Sequence, residues 1–521
     1  MYSDNKVLIG KNAEKELFII PDKANRHGLI TGASGSGKTI TLKVMAESFS
    51  AAGVPVFLAD VKGDLAGTAI PGEASDKVKE RLEKLEINNF DFKGFPTVFW
   101  DVFGKGGHPI RTTIQSVGPT ILSRMLGLNE TQEGVLAIIF KIARENGYEL
   151  VDLKDLRLVL QYVAENSKQY TVTYGNIAAQ SVGSIQRSLL MIEEQGGDKF
   201  FGEPAISMDD LLKVNSNGLG NINILHCVEL FKQPTLYACF LLWILNALNS
   251  NMPEVGDLDK PKLVFFFDEA HLLFDDLPDY MLTQVIQIVK LIRSKGIGLY
   301  FISQSPNDIP GEILAQLGNK VQHTLRAYTP AEQKVIKAVA DSFRANPKFN
   351  TEEAIMSLGT GEALISFLNE KGEPNIVEKA TILPPQSQMG AIDDSMRLMI
   401  INRSEFMGKY DTVIDRVSAF EILSEEMQGK KEAEEREKKE KEEQKLREQQ
   451  EKEQAKQEKQ AEKARKEEER IKKELEKEAE KARKNSWQYK VGKQAERTAN
   501  SALNSVGRKI VNEILKGIFK K

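Results

Sequence analysis

Lys38 stands behind Gly32, Ala33, Ser34, Gly35, Ser36 and Gly37 and ahead of Thr39, a spacing suited to gripping a polyphosphate. The apolar run Gly28–Thr31 leads into this segment and a helix-compatible stretch, Ile40 to Phe49, follows it, so the order is strand, glycine loop, helix. A nucleoside triphosphate packs several negative charges into a small volume. Glycines let the backbone curl so that successive N–H groups point inward at those charges, and a helix N-terminus adds its dipole. Lys38 then reaches the β- and γ-phosphates, and the Thr39 hydroxyl faces Mg²⁺. Gly32 through Thr39, with Ile40 opening the helix, are the expected nucleotide-binding residues, and ATP with Mg²⁺ the expected ligands.

A second chemical signal is Leu263-Val264-Phe265-Phe266-Phe267 followed by Asp268-Glu269. Five apolar residues read as a strand buried on both faces. It ends in two carboxylates, at the edge where open α/β sheets collect ligands. An Asp-Glu pair after an apolar run is often only a helix start. Beside a phosphate loop it divides the work of hydrolysis: Asp268 holds the metal, and Glu269 is the general base for the attacking water. The expected geometry puts this pair on a strand adjacent to the phosphate loop, facing the terminal phosphate. His271 completes Asp-Glu-Ala-His and is assigned no chemistry.

Three further residues suit phosphoryl transfer. Gln304 ends the strand-like Leu299–Ser303, where a neutral amide senses the γ-phosphate or holds water, or merely ends a strand. Arg326, after Val321–Leu325, and Arg293, in Ile292-Arg293-Ser294-Lys295-Gly296, are each either a finger from a neighbouring subunit or an ordinary surface ion-pair residue. Asp60-Val61-Lys62-Gly63-Asp64 follows another strand-like run and sits at the expected mouth of the site. There Asp60 suits water or metal and Lys62 suits phosphate or nucleic acid, or the segment is a plain turn.

The elements that position these groups are α/β. Short apolar runs at Val7–Ile9, Leu17–Ile20, Leu29-Ile30, Val54–Ala59 and Thr97–Trp100 alternate with helical stretches, which points to a mainly parallel sheet flanked by helices. From about Ser116 to Leu212 apolar residues recur at helical spacing and read as an insertion. Strand-like runs return at Ile222–Leu225, Leu263–Phe267, Gly298–Ile302 and Ala363–Phe367, the last expected to close the core, and Pro384-Pro385 marks a boundary. The expected division is core at 1–115, helical insertion at 116–220, core at 221–385, helical extension at 386–429, a charged helix or disordered linker at 430–485, and a basic amphipathic helix at 486–521. In the charged block, acid-first pairs such as Glu434/Lys438 and Glu462/Lys466 favour a solvated spacer helix of about 80 Å. The last helix, with Leu503, Val506, Ile510 and Ile514 on one face, suits docking on its own protein, a partner helix or an anionic surface.

With 521 residues, 41% hydrophobic and a net charge of −4, the chain is long enough for two or three domains and is not an overtly basic nucleic-acid binder. Its two cysteines, Cys227 and Cys239, lie in apolar runs and read as buried thiols of a reducing compartment, not as a disulfide or metal site. Met1–Lys6 lacks a signal-peptide pattern. Leu236–Leu248 is too short to span a bilayer and reads as a buried helix. A cytoplasmic protein is expected.

Taken together, Arg26-His27 through Thr39, Asp60–Leu65, Phe200-Phe201-Gly202-Glu203-Pro204, Leu263–Leu273, Ile292–Gly296 and Leu325–Pro330 resemble the HerA–FtsK superfamily of ATP-driven motors, with a nearer likeness to its bacterial YjgR-type HerA-like helicase group. The resemblance runs over about residues 5–385 and resumes at the C-terminal end. It implies a RecA-like P-loop core, ATP hydrolysis, a homo-oligomeric ring (usually six subunits), an arginine supplied across the subunit interface, Gln304 as sensor, and movement on double-stranded DNA. The barrel domain that precedes the motor in HerA itself is not expected, since the phosphate loop begins near residue 32. The sequence leaves two functions open: a DNA translocase or helicase-like ATPase, or an ATPase that remodels or scaffolds a protein or membrane partner through its charged tail.

Overall fold

The computed structural model describes residues 1–275 and 277–485. The basic amphipathic helix expected at 486–521 lies outside the described residues. Contacts divide the chain after Met427, and the first unit, Met1–Met427, carries the sheet.

Thirteen strands among the described residues form one sheet. In chain order they are β1 (Tyr2–Ser3), β2 (Lys6–Lys11), β3 (Glu16–Ile19), β4 (Gly28–Thr31), β5 (Val56–Asp60), β6 (Thr97–Asp101), β7 (His108–Pro109), β8 (Ile222–His226), β9 (Leu263–Phe267), β10 (Ile297–Ser303), β11 (Asn319–Gln322), β12 (Glu362–Ser366) and β13 (Glu378–Ile382). Across the sheet the order is β1-β2-β13-β12-β11-β4-β10-β9-β5-β8-β6-β7, with β3 paired to β2. Every pairing from β11 to β7 is parallel. The crossovers carry the helices, and the C-terminal ends of these strands share one edge.

The centre is apolar on both faces because each strand feeds two cores. Alternate residues of β9 divide between them: Phe265 and Phe267 pack in one cluster, Val264 and Phe266 in the other. On one face the helix Lys38–Ala51 lays Phe49 against Phe266 and Tyr300 (ring centroids 6.5 and 5.8 Å apart). On the other, Phe57 stacks on Phe265 at 4.6 Å under the helices Pro234–Asn251 and Asp279–Leu291. Helices Ile114–Met125, Glu130–Asn146, Leu153–Glu165, Ser167–Tyr174 and Ala179–Ile192 extend this second core between β7 and β8.

Pro234–Asn251 contains Leu236–Leu248 and is buried through most of that stretch. Among the described residues no helix is long and apolar enough to cross a membrane. The charged block is helical: one helix runs from Ala419 to Asn485, 67 residues or about 100 Å of rise. The Glu462–Lys466 pair closes at 2.7 Å within it.

Two expectations need correction. β12 does not close the sheet. It pairs antiparallel with both β11 and β13, and β13 hands the sheet on to β2. The first three strands therefore form an antiparallel flank instead of opening a parallel series. Short connections explain this: β2 and β3 are joined by Asn12–Lys15, room enough for a hairpin and too little for a crossover.

Candidate active site

The phosphate loop leaves β4 at Thr31 and enters the helix at Lys38. Its shape depends on glycine at two places. Gly32 has φ +150°, and a Cβ there would lie 2.5 Å from the Cβ of His323. Gly37, the helix N-cap, has φ +116° and abuts Gly361. An L side chain fits neither position.

The loop is also braced from behind by β11 and its extension. Thr31 Oγ1 donates to Gln322 Oε1 (2.6 Å), His323 N–H to the Thr31 carbonyl (2.7 Å), and Ala33 N–H to the Thr324 carbonyl (2.9 Å). The buried His323 ring donates from Nδ1 to the Glu362 carbonyl (3.0 Å) and accepts at Nε2 from Thr41 Oγ1 (2.8 Å). Burial pushes its pKa down to about 4, so it stays neutral in this role. Gly361 N–H bonds the Ser36 carbonyl at 3.0 Å, and Arg81 holds that turn by donating to the carbonyls of Thr360, Gly361 and Ile382.

Lys38 Nζ donates to the carbonyls of Gly32 (2.6 Å) and Ala33 (3.1 Å), folded onto its own loop. Burial lowers its pKa, opposed by the charges of Glu269 and Asp268, so these groups share one electrostatic space. Among the described residues the buried Ser36 hydroxyl has no partner, as a group reserved for a ligand would be.

One strand separates this loop from the carboxylates, which corrects the expected adjacency. β10 runs between β4 and β9, with Ser303 level with Thr31 and Phe301 level with Phe267. Two strand spacings give about 10 Å between β4 and β9, room for a phosphate and a hydrated cation. Gln304, the next residue of β10, lies exposed between the two carriers.

Asp268 follows β9 directly. Its Oδ1 accepts the Glu269 N–H at 3.0 Å. Burial, with the Glu269 charge adding, pushes its pKa up to about 7. A carboxylate so disfavoured as an anion gains from a bound cation. Among the described residues the Thr39 hydroxyl has no hydrogen-bond partner, so Thr39 and Asp268 fit as Mg²⁺ ligands of the oxygen type that ion demands. Glu269 has φ +48°, a left-handed conformation that a residue with a side chain adopts at a cost. His271 Nδ1 lies 3.6 Å from Glu269 Oε2, within ion-pair reach.

The model of the family described as Helicase HerA-like C-terminal matches residues 5–521. The chain belongs to this family. It resembles the DNA double-strand break repair helicase HerA of Sulfolobus acidocaldarius at 22% identity over 395 residues, 74% of this chain and 70% of that one. The protein of the same name from Saccharolobus solfataricus is 24% identical over 361 residues, 69% of this chain and 64% of that one. Among solved structures, the bacterial conjugative coupling protein TrwBdeltaN70 aligns with a TM-score of 0.48 at 13% identity, over 72% of this chain and 90% of that one.

As a member of the Helicase HerA-like C-terminal family, the chain is a P-loop ATPase. Of the residues expected at the site, Gly32–Ile40, Asp268, Glu269 and Gln304 lie at one edge of the sheet. Arg326 is exposed at that edge too, two residues past the Thr324 carbonyl that binds the phosphate loop. Arg293 is not brought to it. It precedes β10, about 20 Å of strand from Gln304, and pairs with Asp257 at 3.3 Å. Sequence reasoning passed over His323, Arg81 and the contact of His271 with Glu269. His323 carried one legible signal, a histidine within the strand-like run Val321–Leu325.

Proposed function

We propose that this chain is an ATP-hydrolysing motor that acts on DNA as a ring of identical subunits, six being the expected number. The observation that carries the reading is the convergence of Lys38, Asp268 and Glu269 on one edge of the sheet, in a chain of the Helicase HerA-like C-terminal family. Relatives named as DNA repair helicases favour DNA as the polymer.

In this reading the N–H groups of Gly32–Thr39 and the Lys38 ammonium hold the triphosphate, once Lys38 leaves the Gly32 and Ala33 carbonyls. Thr39 and Asp268 hold Mg²⁺, which when bound draws off phosphate charge. Glu269 takes the proton of the attacking water on its carboxylate, and Gln304 orients that water by its amide. Arg326, exposed and without an ion pair among the described residues, is the better candidate for a finger reaching the neighbouring subunit's nucleotide; Arg293 is already engaged by Asp257.

The test is ATP turnover measured with double-stranded DNA, single-stranded DNA and RNA over a salt series. DNA should raise turnover, and the stimulation should fall steeply with salt. Turnover indifferent to every polymer at low salt would remove DNA from the account.

A further inference from the structure

The loop after β5 reaches the same edge from the other flank of the carboxylates. β5 lies beside β9, and the Leu58–Phe266 register brings Asp60 level with Asp268, one strand away. Asp60 is fully buried and ties the loop down by accepting the Leu65 N–H (3.3 Å), while Gly63, at φ +77°, makes the turn. The turn leaves Lys62 exposed, with no hydrogen bond or ion pair for its side chain among the described residues, not even with Asp64. Two nearby cations are committed elsewhere: Lys43 is buried against the Gln388 carbonyl, and Arg397 lies over the Phe99 ring at 4.7 Å. Lys62, two residues past Asp60, thus stands on the β5 side of Asp268, with Lys38 on the β4 side and the space for a terminal phosphate between them.

That space lacks positive charge when filled. A triphosphate brings about four negative charges and magnesium two positive ones; Lys38 adds one, and Asp268 and Glu269 take two away. We propose that Lys62 is a phosphate-contacting cation supplied in cis, which closes on the terminal phosphate of bound ATP from the β5 side while Lys38 holds it from the β4 side. The inference rests on the ATPase reading and deepens it. Lys62 is the residue that distinguishes ATP from ADP, since only ATP carries the group it reaches, and its contact strengthens as charge builds on that group during hydrolysis.

The whole chain and its Lys62→Gln, Lys62→Arg and Lys38→Ala variants test this, with affinities measured for a non-hydrolysable ATP analogue and for ADP, each with Mg²⁺, and for DNA without nucleotide. Lys62→Gln should lose about tenfold in analogue affinity and in kcat and keep ADP affinity within about twofold, while Lys62→Arg recovers most of the loss. Analogue and ADP affinities both unchanged would overturn the proposal; a fall in DNA affinity alone would make Lys62 a contact to the polymer. An equal loss for analogue and ADP would also overturn it, by making the loop a structural support. Lys38→Ala should abolish binding of both nucleotides. If it does not, the phosphate-loop reading itself fails, whatever Lys62 does.

Discussion

Glu269 occupies a left-handed backbone conformation directly after a buried strand, and Asp268 caps that bend by accepting its N–H. The bend presents two neighbouring carboxylates to the same edge of the sheet. Asp268 is pushed up to about 7, principally by burial, whereas Glu269 ends the strand beside His271. Replacing Glu269 by Gln should leave nucleotide affinity within about twofold and reduce kcat by about a hundredfold or more, read by parallel binding and turnover assays. Turnover near that of the native chain would take the general-base role from Glu269. Asp268 predicts a pH signature. Below about pH 7 its carboxyl keeps a proton that Mg²⁺ must displace. Mg²⁺ affinity should therefore climb with pH and level off above 7, with proton uptake or release followed by calorimetry in two buffers. The sign for stability is opposite. A carboxyl raised in the folded state opposes folding once ionised, and this penalty grows from the ordinary Asp value near 4 up to about 7. Metal-free Asp268→Asn should melt above the native chain at pH 8 and match it at pH 3.

At the scale of elements, the phosphate loop is held by strands remote in sequence. Gly32→Ala would force a Cβ to 2.5 Å from that of His323, so it should weaken nucleotide binding by about a hundredfold, with a smaller effect on the fold, measured by titration and thermal melting. His27 plays a similar part below the loop, donating from Nε2 to Val289 O (2.8 Å) and accepting the Leu299 N–H (3.0 Å), which fixes β4 against β10 and the helix Asp279–Leu291. These contacts mark the limit of what was legible in the sequence. The glycine loop and the run Leu263–Phe267 were readable because their chemistry lies in consecutive residues. The sequence reads this strand, β11, at Val321–Leu325, two to three residues late, because polar Asn319 and Lys320 hide its start; the Asn319 side chain is buried and paired with the carbonyls of Lys23 and His27. β13 escaped because Glu378-Lys379 hides a strand of which only Ala380–Ile382 is buried. Arg81 and His323 act through carbonyls and a hydroxyl brought near by folding, and no local spacing announces that. Arg293 shows the converse: its position just before the strand that ends at Gln304 was legible and already set it at the far end of β10.

In the whole molecule, the site belongs to the unit Met1–Met427, within which all thirteen strands lie. A chain ending at Met427 should fold, bind ATP with an affinity within about threefold of the full chain, and melt cooperatively; loss of nucleotide binding on this truncation would assign the charged helix a part in the site. β4, β9 and β10 share one space for the triphosphate, and the structure of the chain bound to a non-hydrolysable ATP analogue and Mg²⁺ would show what occupies it. The terminal phosphate should lie between the Lys38 ammonium and the Glu269 carboxylate, with the metal against Thr39 and on the Asp268 side. A nucleotide seated away from the Gly32–Thr39 loop, or a terminal phosphate turned away from Asp268 and Glu269, would contradict it.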